Sequence, residues 1–490
     1  MKLSQMIEKL DYTVVCGDVD VEINHLCNDN RKVGKDDVFV CIKGANFDGH
    51  NFVQDVKDKG ASCVIVQDDV EVDGITVIKV DNTRKALAYM SAAYFGNPAE
   101  KLITIGITGT KGKTTTSYMV RNVLENAGIK TGLIGTIETI IGDEHIKANN
   151  TTPESFLIHQ YFAQMVEKGL KCVVMEVSSQ GLMLDRVAGV NFDYGIFTNL
   201  EPDHIGPNEH KDFNHYLECK SLLFKQCKKA IVNIDDEHTE RVLQGATCQV
   251  ETYGLKNDAD YKADNVKLYQ KPGKLCVSYD LSGKINMPVE INVPGIFSVY
   301  NSLCAVAICS HMTDDISLIE RSLEDVKVKG RVELVDVSKR FVFMIDYAHN
   351  AMSLESLLTS LKKYNPKRIV TIFGCGGNRS KDRRFEMGEV SSKLSDFTIV
   401  TSDNPRFEEP LDIINDILVG IKKADGEYVT IPDRKDAIRY SIEHAQDGDV
   451  IVLAGKGHED YQEIKGVKYP MDERTLINEV ISEPNIKTLL

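Results

Sequence analysis

Among its 490 residues the chain has no tryptophan, so any ring-stacking site must be built from Tyr, Phe or His. It also lacks a long apolar run: no uninterrupted stretch approaches the roughly 18 residues of a membrane-spanning helix. The opening residues, MKLSQMIEKLDY, put Glu8, Lys9 and Asp11 where a secretory signal would be apolar. No CxxC pair occurs among the 12 cysteines, and their scatter fits neither zinc-ligand spacing nor a disulfide framework. The expected address is therefore the cytoplasm, without membrane insertion. Basic residues are outnumbered, 58 Lys and Arg against 73 Asp and Glu, for a formal net charge of −15. That balance argues against a broad nucleic-acid surface and leaves room for a local pocket for anions. Internal repeats and low-complexity tracts are absent.

What is present is an ordinary globular composition, 42% hydrophobic and 27% charged, in a chain too long for one hydrophobic core. At about 150 residues per domain, roughly three domains are expected. Residues 1–98 alternate short β-like runs (38–42, 63–67, 75–80) with helical or looped stretches, and a helix over 84–95 stops at Gly96-Asn97-Pro98. Residues 99–329 open with the buried-strand pattern LITIGIT, continue into a helix from Thr114 to about Ala127, and repeat apolar runs at 172–177, 194–198 and 230–234. This alternation predicts an α/β domain with a largely parallel sheet. In residues 330–490, strand-like runs at 341–345, 368–373, 397–400 and 449–454 each lead into a distinctive motif. These are Asp346-Tyr-Ala-His349, Gly374-Cys-Gly-Gly377, Asp403-Asn-Pro-Arg406 and Gly455-Lys-Gly-His-Glu459. Ligands bind beyond the carboxyl ends of strands in open α/β sheets, so these motifs predict one site on one edge.

Gly109-Thr110-Lys111-Gly112-Lys113-Thr114-Thr115 lies between a predicted strand and a predicted helix, the setting of a phosphate-binding loop. Glycines let backbone N–H groups curl around phosphate oxygens at a helix N-terminus. Lys113 would neutralise terminal phosphates and the Thr114 hydroxyl would reach Mg²⁺. The strict pattern wants glycine where Ile107 stands, so this is a shortened form, and a glycine-rich turn with solvated lysines is the alternative. Glu176 ends the run CVVMEV, where a carboxylate suits Mg²⁺, although carboxylates commonly cap strand ends. His204 follows YGIFT and offers a further metal ligand, against the plainer reading of a hydrogen-bonded loop histidine. Lys220, flanked by apolar residues at helical spacing, reads by default as a snorkelling lysine. Beside magnesium its ammonium would repel, whereas carboxylation by CO₂ would turn it into an oxygen ligand.

The ordered blocks TGTKGKTTT, NNTTPES, MEVSSQGLMLDRV, FTNLEPDH, YLECKSLLF, GIFSVYNSLCA, KGRVE, DYAHN, GCGGNR, SDNPR and AGKGHEDYQ resemble the Mur ligase family over nearly the whole chain, and within it the branch that adds the third residue of the peptidoglycan stem peptide. The resemblance implies a three-domain α/β protein: a UDP-sugar domain (1–98), a central P-loop ATPase domain (99–329) and a Rossmann-like amino-acid domain (330–490). It implies a ligase that uses ATP and Mg²⁺ to join meso-2,6-diaminopimelate to UDP-N-acetylmuramoyl-L-alanyl-D-glutamate through an acyl phosphate in cell-wall precursor synthesis; the sequence is silent on oligomeric state, and a monomer is the default expectation. Matching positions place Asn30, Thr151, Thr152, Ser178 and Arg186 at the UDP-linked acceptor. Asn301, Arg331, Asp346 and His349 join the phosphate loop around the nucleotide, and Thr114, Glu176, His204 and Lys220 (as a carbamate) fall at the metals. Lys113, Lys220 and His204 are the catalytic candidates.

The third residue is read from Asp403-Asn404-Pro405-Arg406, where Arg406 could fork onto a carboxylate that lysine lacks at its far end. Arg379, Gly455 and Glu459 match further positions around diaminopimelate, with Glu459 suited to an ammonium. Two features depart from that pattern: Asn30 stands where the family usually has serine, and 203–210 looks more like the lysine-adding relatives. The same ligase using L-lysine, folylpolyglutamate synthase and a P-loop switch without ligase activity are the competing readings. A salt bridge for Arg406 is the plainer alternative to a substrate fork.

Overall fold

A computed structural model describes every residue except Ala45, Asn46, Pro207, Asn208 and Asp325. Two compact units are present, Met1–Asp260 with Cys304–Asp314, and Tyr261–Leu303 with Asp315–Leu490. No helix among the described residues is long and apolar enough to cross a membrane.

The first unit begins with a sheet in the order Thr13–Cys16, Thr76–Lys79, Cys63–Val66, Val38–Val40, Leu26–Cys27, parallel except at its first pair. Strand Cys63–Val66 is buried on both faces, with Cys63 and Ile65 in one core and Val64 and Val66 in the other. The predicted helix over 84–95 forms as Thr83–Tyr94, started by the Asn82 side chain, which accepts from the backbone N–H groups of Arg84 and Lys85.

The same unit holds a second sheet with the parallel neighbours Gln249–Gly254, Cys227–Asn233, Phe192–Phe197, Ile103–Thr108, Cys172–Glu176 and Thr131–Ile134. Two antiparallel strands, Glu138–Ile141 and Glu144–Lys147, follow Thr131–Ile134. Register decides what meets at the carboxyl edge. Ile107 pairs with Glu176, Thr108 with Phe197, and Ile134 with Met175. The phosphate loop, Glu176 and the segments after Ile134 and Phe197 therefore leave the sheet at one level.

The second unit holds an antiparallel meander, Tyr261–Lys271, Lys274–Gly283 and Met287–Ile291, which lies outside the predicted β/α alternation. Lys271 pairs with Lys274 across Pro272-Gly273, a turn dipeptide that was the available cue in the sequence. Its six-stranded sheet runs Glu333–Val335, Val342–Asp346, Asp449–Ala454, Arg368–Phe373, Phe397–Val400, Tyr428–Thr430. The four strands expected to carry motifs are adjacent and parallel, so their motifs do leave on one edge.

Behind that edge sits a buried ion pair. Arg434 (2% exposed) and Glu473 (0%) meet at 2.7 Å through Nε. Arg434 also donates to the carbonyl oxygens of Ser402 (3.0 Å) and Ala454 (2.9 Å), just past two of the strands. Arg434→Met is expected to destabilise the second unit by about 3–5 kcal/mol, because it strands a buried carboxylate. Arg434→Met combined with Glu473→Leu should recover most of that loss. Urea denaturation of the full chain checks both; equal losses would assign the effect to the two carbonyl contacts instead.

Candidate active site

In the first unit the strand Ile103–Thr108 runs into the glycine-rich loop, and the helix Lys113–Asn126 starts from Gly112 at φ 86°. At Gly109 (φ 147°) a side chain is excluded, since a Cβ would lie 1.9 Å from Thr198 Oγ1. The loop is pinned to the segment after Phe197. Thr110 N donates to Asn199 O (2.9 Å), Lys111 N to Asn199 Oδ1 (2.9 Å), and Thr198 Oγ1 to Lys111 O (2.7 Å). Lys111 Nζ pairs with Glu201 at 2.7 Å, while Lys113 Nζ donates to the carbonyl oxygens of Gly109 (2.8 Å) and Thr110 (3.0 Å). Thr115 stands half-buried on the first helical turn. Backbone N–H groups at a helix start with two lysines alongside form a site for phosphate anions.

Glu176, 1% exposed, gathers the neighbouring strand exits. Its Oε2 accepts from Thr114 Oγ1 and Thr136 Oγ1, both at 3.0 Å, and its Oε1 accepts from Thr136 N at 3.0 Å. A Cβ at Gly135 would lie 2.4 Å from Oε1, so a side chain there would displace the carboxylate. The Thr114 hydroxyl and the Glu176 carboxylate are hard oxygen donors and fit Mg²⁺, which takes few protein oxygens and keeps several waters.

The acceptor candidates attach to the same residue. Thr152 Oγ1 donates to Glu176 O (3.0 Å) and accepts from Ser178 N (2.9 Å); Thr151 Oγ1 is 3.0 Å from Thr136 Oγ1. Arg186 donates to Thr152 O at 2.9 Å and pairs with Glu154 at 2.6 Å. Asn30 stands apart, its amide donating to Asp55 at 3.2 Å.

Lys220 lies on the helix Phe213–Ser221, 1% exposed, and its Nζ donates to Gly109 O at 2.8 Å. Burial, with the nearby charge of Lys113, holds it well below the usual lysine range, toward the neutral amine. The snorkelling alternative is overturned, since the amine points into the site. His204 (φ 54°) is half-exposed and pairs through Nδ1 with Glu209 at 3.2 Å. Among the described residues no hydrogen bond joins it to Thr114 or Glu176, and Pro207 and Asn208 of the stretch 203–210 lie outside those residues.

In the second unit Asp346 accepts from Val332 N and Ala348 N, both at 2.8 Å, and burial raises its carboxyl above the usual range against the opposing pull of Arg331. Arg331 stacks on the Tyr347 ring at 4.8 Å, and His349 Nδ1 lies 2.8 Å from Tyr347 O. Asn301 is buried on the helix Ile296–Cys309.

The Asp403–Arg406 and Gly455–Glu459 motifs interlock. Asn404 Nδ2 donates to Glu459 Oε2 at 2.9 Å, and Lys456 Nζ lies 3.2 Å from both Asn404 Oδ1 and Glu459 Oε2. Gly455 (φ 113°) brings its backbone against Asp403. Arg406 Nη1 donates to Gly377 O at 2.7 Å and its Nε to Glu463 at 3.3 Å, so part of the expected fork is engaged within the protein. Arg379 is exposed. Glu459 does hold an ammonium, that of Lys456, which sequence reasoning passed over inside a motif it had singled out. Thr136, Arg434 and Glu473 were also missed.

Three domain families match in chain order: the Mur ligase family catalytic domain at residues 22–95, the Mur ligase middle domain at 107–309 and the Mur ligase glutamate ligase domain at 330–457. A UDP-N-acetylmuramoyl-L-alanyl-D-glutamate--2,6-diaminopimelate ligase of Clostridium perfringens is 42% identical over 489 residues, spanning 98% of this chain and 99% of the relative. One from Clostridium acetobutylicum is 43% identical over 487 residues, 99% and 100% of the two chains. A solved structure of a ligase with that name superposes with a TM-score of 0.75 at 25% identity, covering 98% of each chain. With likeness of that extent running from end to end, the chain belongs to the Mur ligase family.

Proposed function

We propose that the chain is an ATP-dependent ligase joining meso-2,6-diaminopimelate to UDP-N-acetylmuramoyl-L-alanyl-D-glutamate. One observation carries the reading: Thr114 of the phosphate loop and Thr152 of the acceptor segment meet on Glu176, one at its carboxylate and the other at its backbone carbonyl. On this reading a phosphate chain and an acceptor carboxylate would converge beside Glu176. The names of the relatives support the choice of amino acid. Residues 1–98 would hold the UDP-sugar, 99–329 the nucleotide and 330–490 the amino acid.

A carboxylate is a poor acyl donor because its leaving group is oxide. In the proposed reaction a carboxylate oxygen attacks the terminal phosphorus of ATP, the bond to ADP breaks, and an acyl phosphate forms. The amine of diaminopimelate then attacks the acyl carbon, phosphate leaves, and the amine proton passes to a base or to water. Lys113 offsets charge on the transferring group, and positioning supplies much of the remainder. Thr114 and Glu176 would hold Mg²⁺, with His204 and carbamylated Lys220 toward a second ion, and the metal would supply charge that stabilises the phosphoryl group. The neutral amine of Lys220 is the form that adds CO₂, giving a carbamate and releasing one proton.

Three outcomes test this. Lys113→Ala is expected to abolish acceptor-dependent phosphate release while the melting temperature stays near that of the parent; normal turnover at saturating ATP would remove the loop from the reaction. Lys220→Ala is expected to be nearly inactive and partly rescued by a short carboxylic acid in solution, which a purely packing role would not allow. Arg406→Ala should raise the KM for diaminopimelate roughly ten- to a hundredfold, the equivalent of about 1.5–3 kcal/mol for a charge-assisted contact, with the KM for ATP unchanged. A coupled assay offering diaminopimelate and L-lysine side by side checks the assignment; equal use of L-lysine would refute it.

A further inference from the structure

The helix Phe213–Ser221 presents a second chemistry that none of the residues assigned above uses. His215 and Cys219 are four apart on it and so share a face. A ring nitrogen of His215, the Cys219 sulfur and a ring nitrogen of His210 lie within 4.8 Å of one another. His210 is 0% exposed; its Nε2 is 2.8 Å from Ser179 Oγ, and its Nδ1 is buried without a partner among the described residues. The Nδ1 of His215 is likewise buried and unpartnered. Two orphaned imidazole nitrogens beside a thiol are costly unless something satisfies them.

We propose that His210, His215 and Cys219 bind a borderline-soft divalent ion of the zinc or cobalt class. Two imidazoles and a thiolate suit such an ion and disfavour Mg²⁺, which prefers oxygen. A fourth position is left for water. If Nε2–H of His210 donates to Ser179, Nδ1 keeps its lone pair toward the ion, the outer contact that fixes a metal-bound histidine. Bonds of about 2.0–2.3 Å need the donors to close to roughly 3.3–3.6 Å, a matter of side-chain rotation. On binding, the Cys219 proton leaves to solvent. The ion would tie this helix, which carries Lys220, to His210, whose backbone N donates to His204 O at 3.0 Å.

The test is a titration of the reduced, chelator-treated full chain with Co²⁺ and then Zn²⁺. A saturable thiolate-to-cobalt charge-transfer band, bleached by zinc, is expected; the Mg²⁺ ligands assigned above include no sulfur and cannot produce it. Cys219→Ala should lose the band, and His215→Gln should weaken zinc binding by more than about tenfold. At equal zinc concentration the melting temperature of the parent chain should rise more than that of either variant. A parent chain without the band, a band retained in Cys219→Ala, or unchanged zinc affinity in His215→Gln would each overturn the proposal.

Discussion

A carboxylate buried at the end of a central strand must have its oxygens satisfied, and in this chain that requirement organises a sheet edge. Glu176 draws a hydroxyl from the phosphate loop, and a hydroxyl and an N–H from the next strand's exit, while its backbone carbonyl holds Thr152. The four contacts come from three segments, so the geometry of the edge depends on strand register as much as on the side chains. A one-residue slip of Cys172–Glu176 would turn the carboxylate to the other face of the sheet.

The two lysines at Gly109 show which effect wins when charges crowd. Both donate to the same carbonyl oxygen. A buried ammonium faces a desolvation penalty of several kcal/mol, beyond what one carbonyl contact returns. Lys220, enclosed and next to Lys113, is therefore the one driven toward neutrality. Of two lysines on one carbonyl oxygen, it is the fully enclosed one that is pushed toward the neutral amine.

Much of this was legible beforehand, for a physical reason. Parallel strands covered on both faces read as unbroken apolar runs, and 368–373, 397–400 and 449–454 form where the sequence puts them. The meander was not, because its strands mix buried and exposed positions without clean alternation. Nor could spacing reveal partners far apart in the chain: Thr136 reaches Glu176 across 40 residues, and Arg434 reaches Glu473 across 39. Arg406 stood out as a substrate fork, but its contact with Gly377 depends on a loop whose path the sequence does not state. The histidines and cysteine near Lys220 escaped notice because a search for paired cysteines has no reason to stop at them.

The grip of Arg434 on the carbonyls of Ser402 and Ala454 sets where two loops begin, independently of what those loops contain. Their contents are nonetheless locked together by Asn404, Lys456 and Glu459. Residues 403–406 and 455–459 thus behave as a two-part cassette on a fixed socket. Neither half can be exchanged alone, since a half-exchange leaves the buried Lys456 facing the wrong partner.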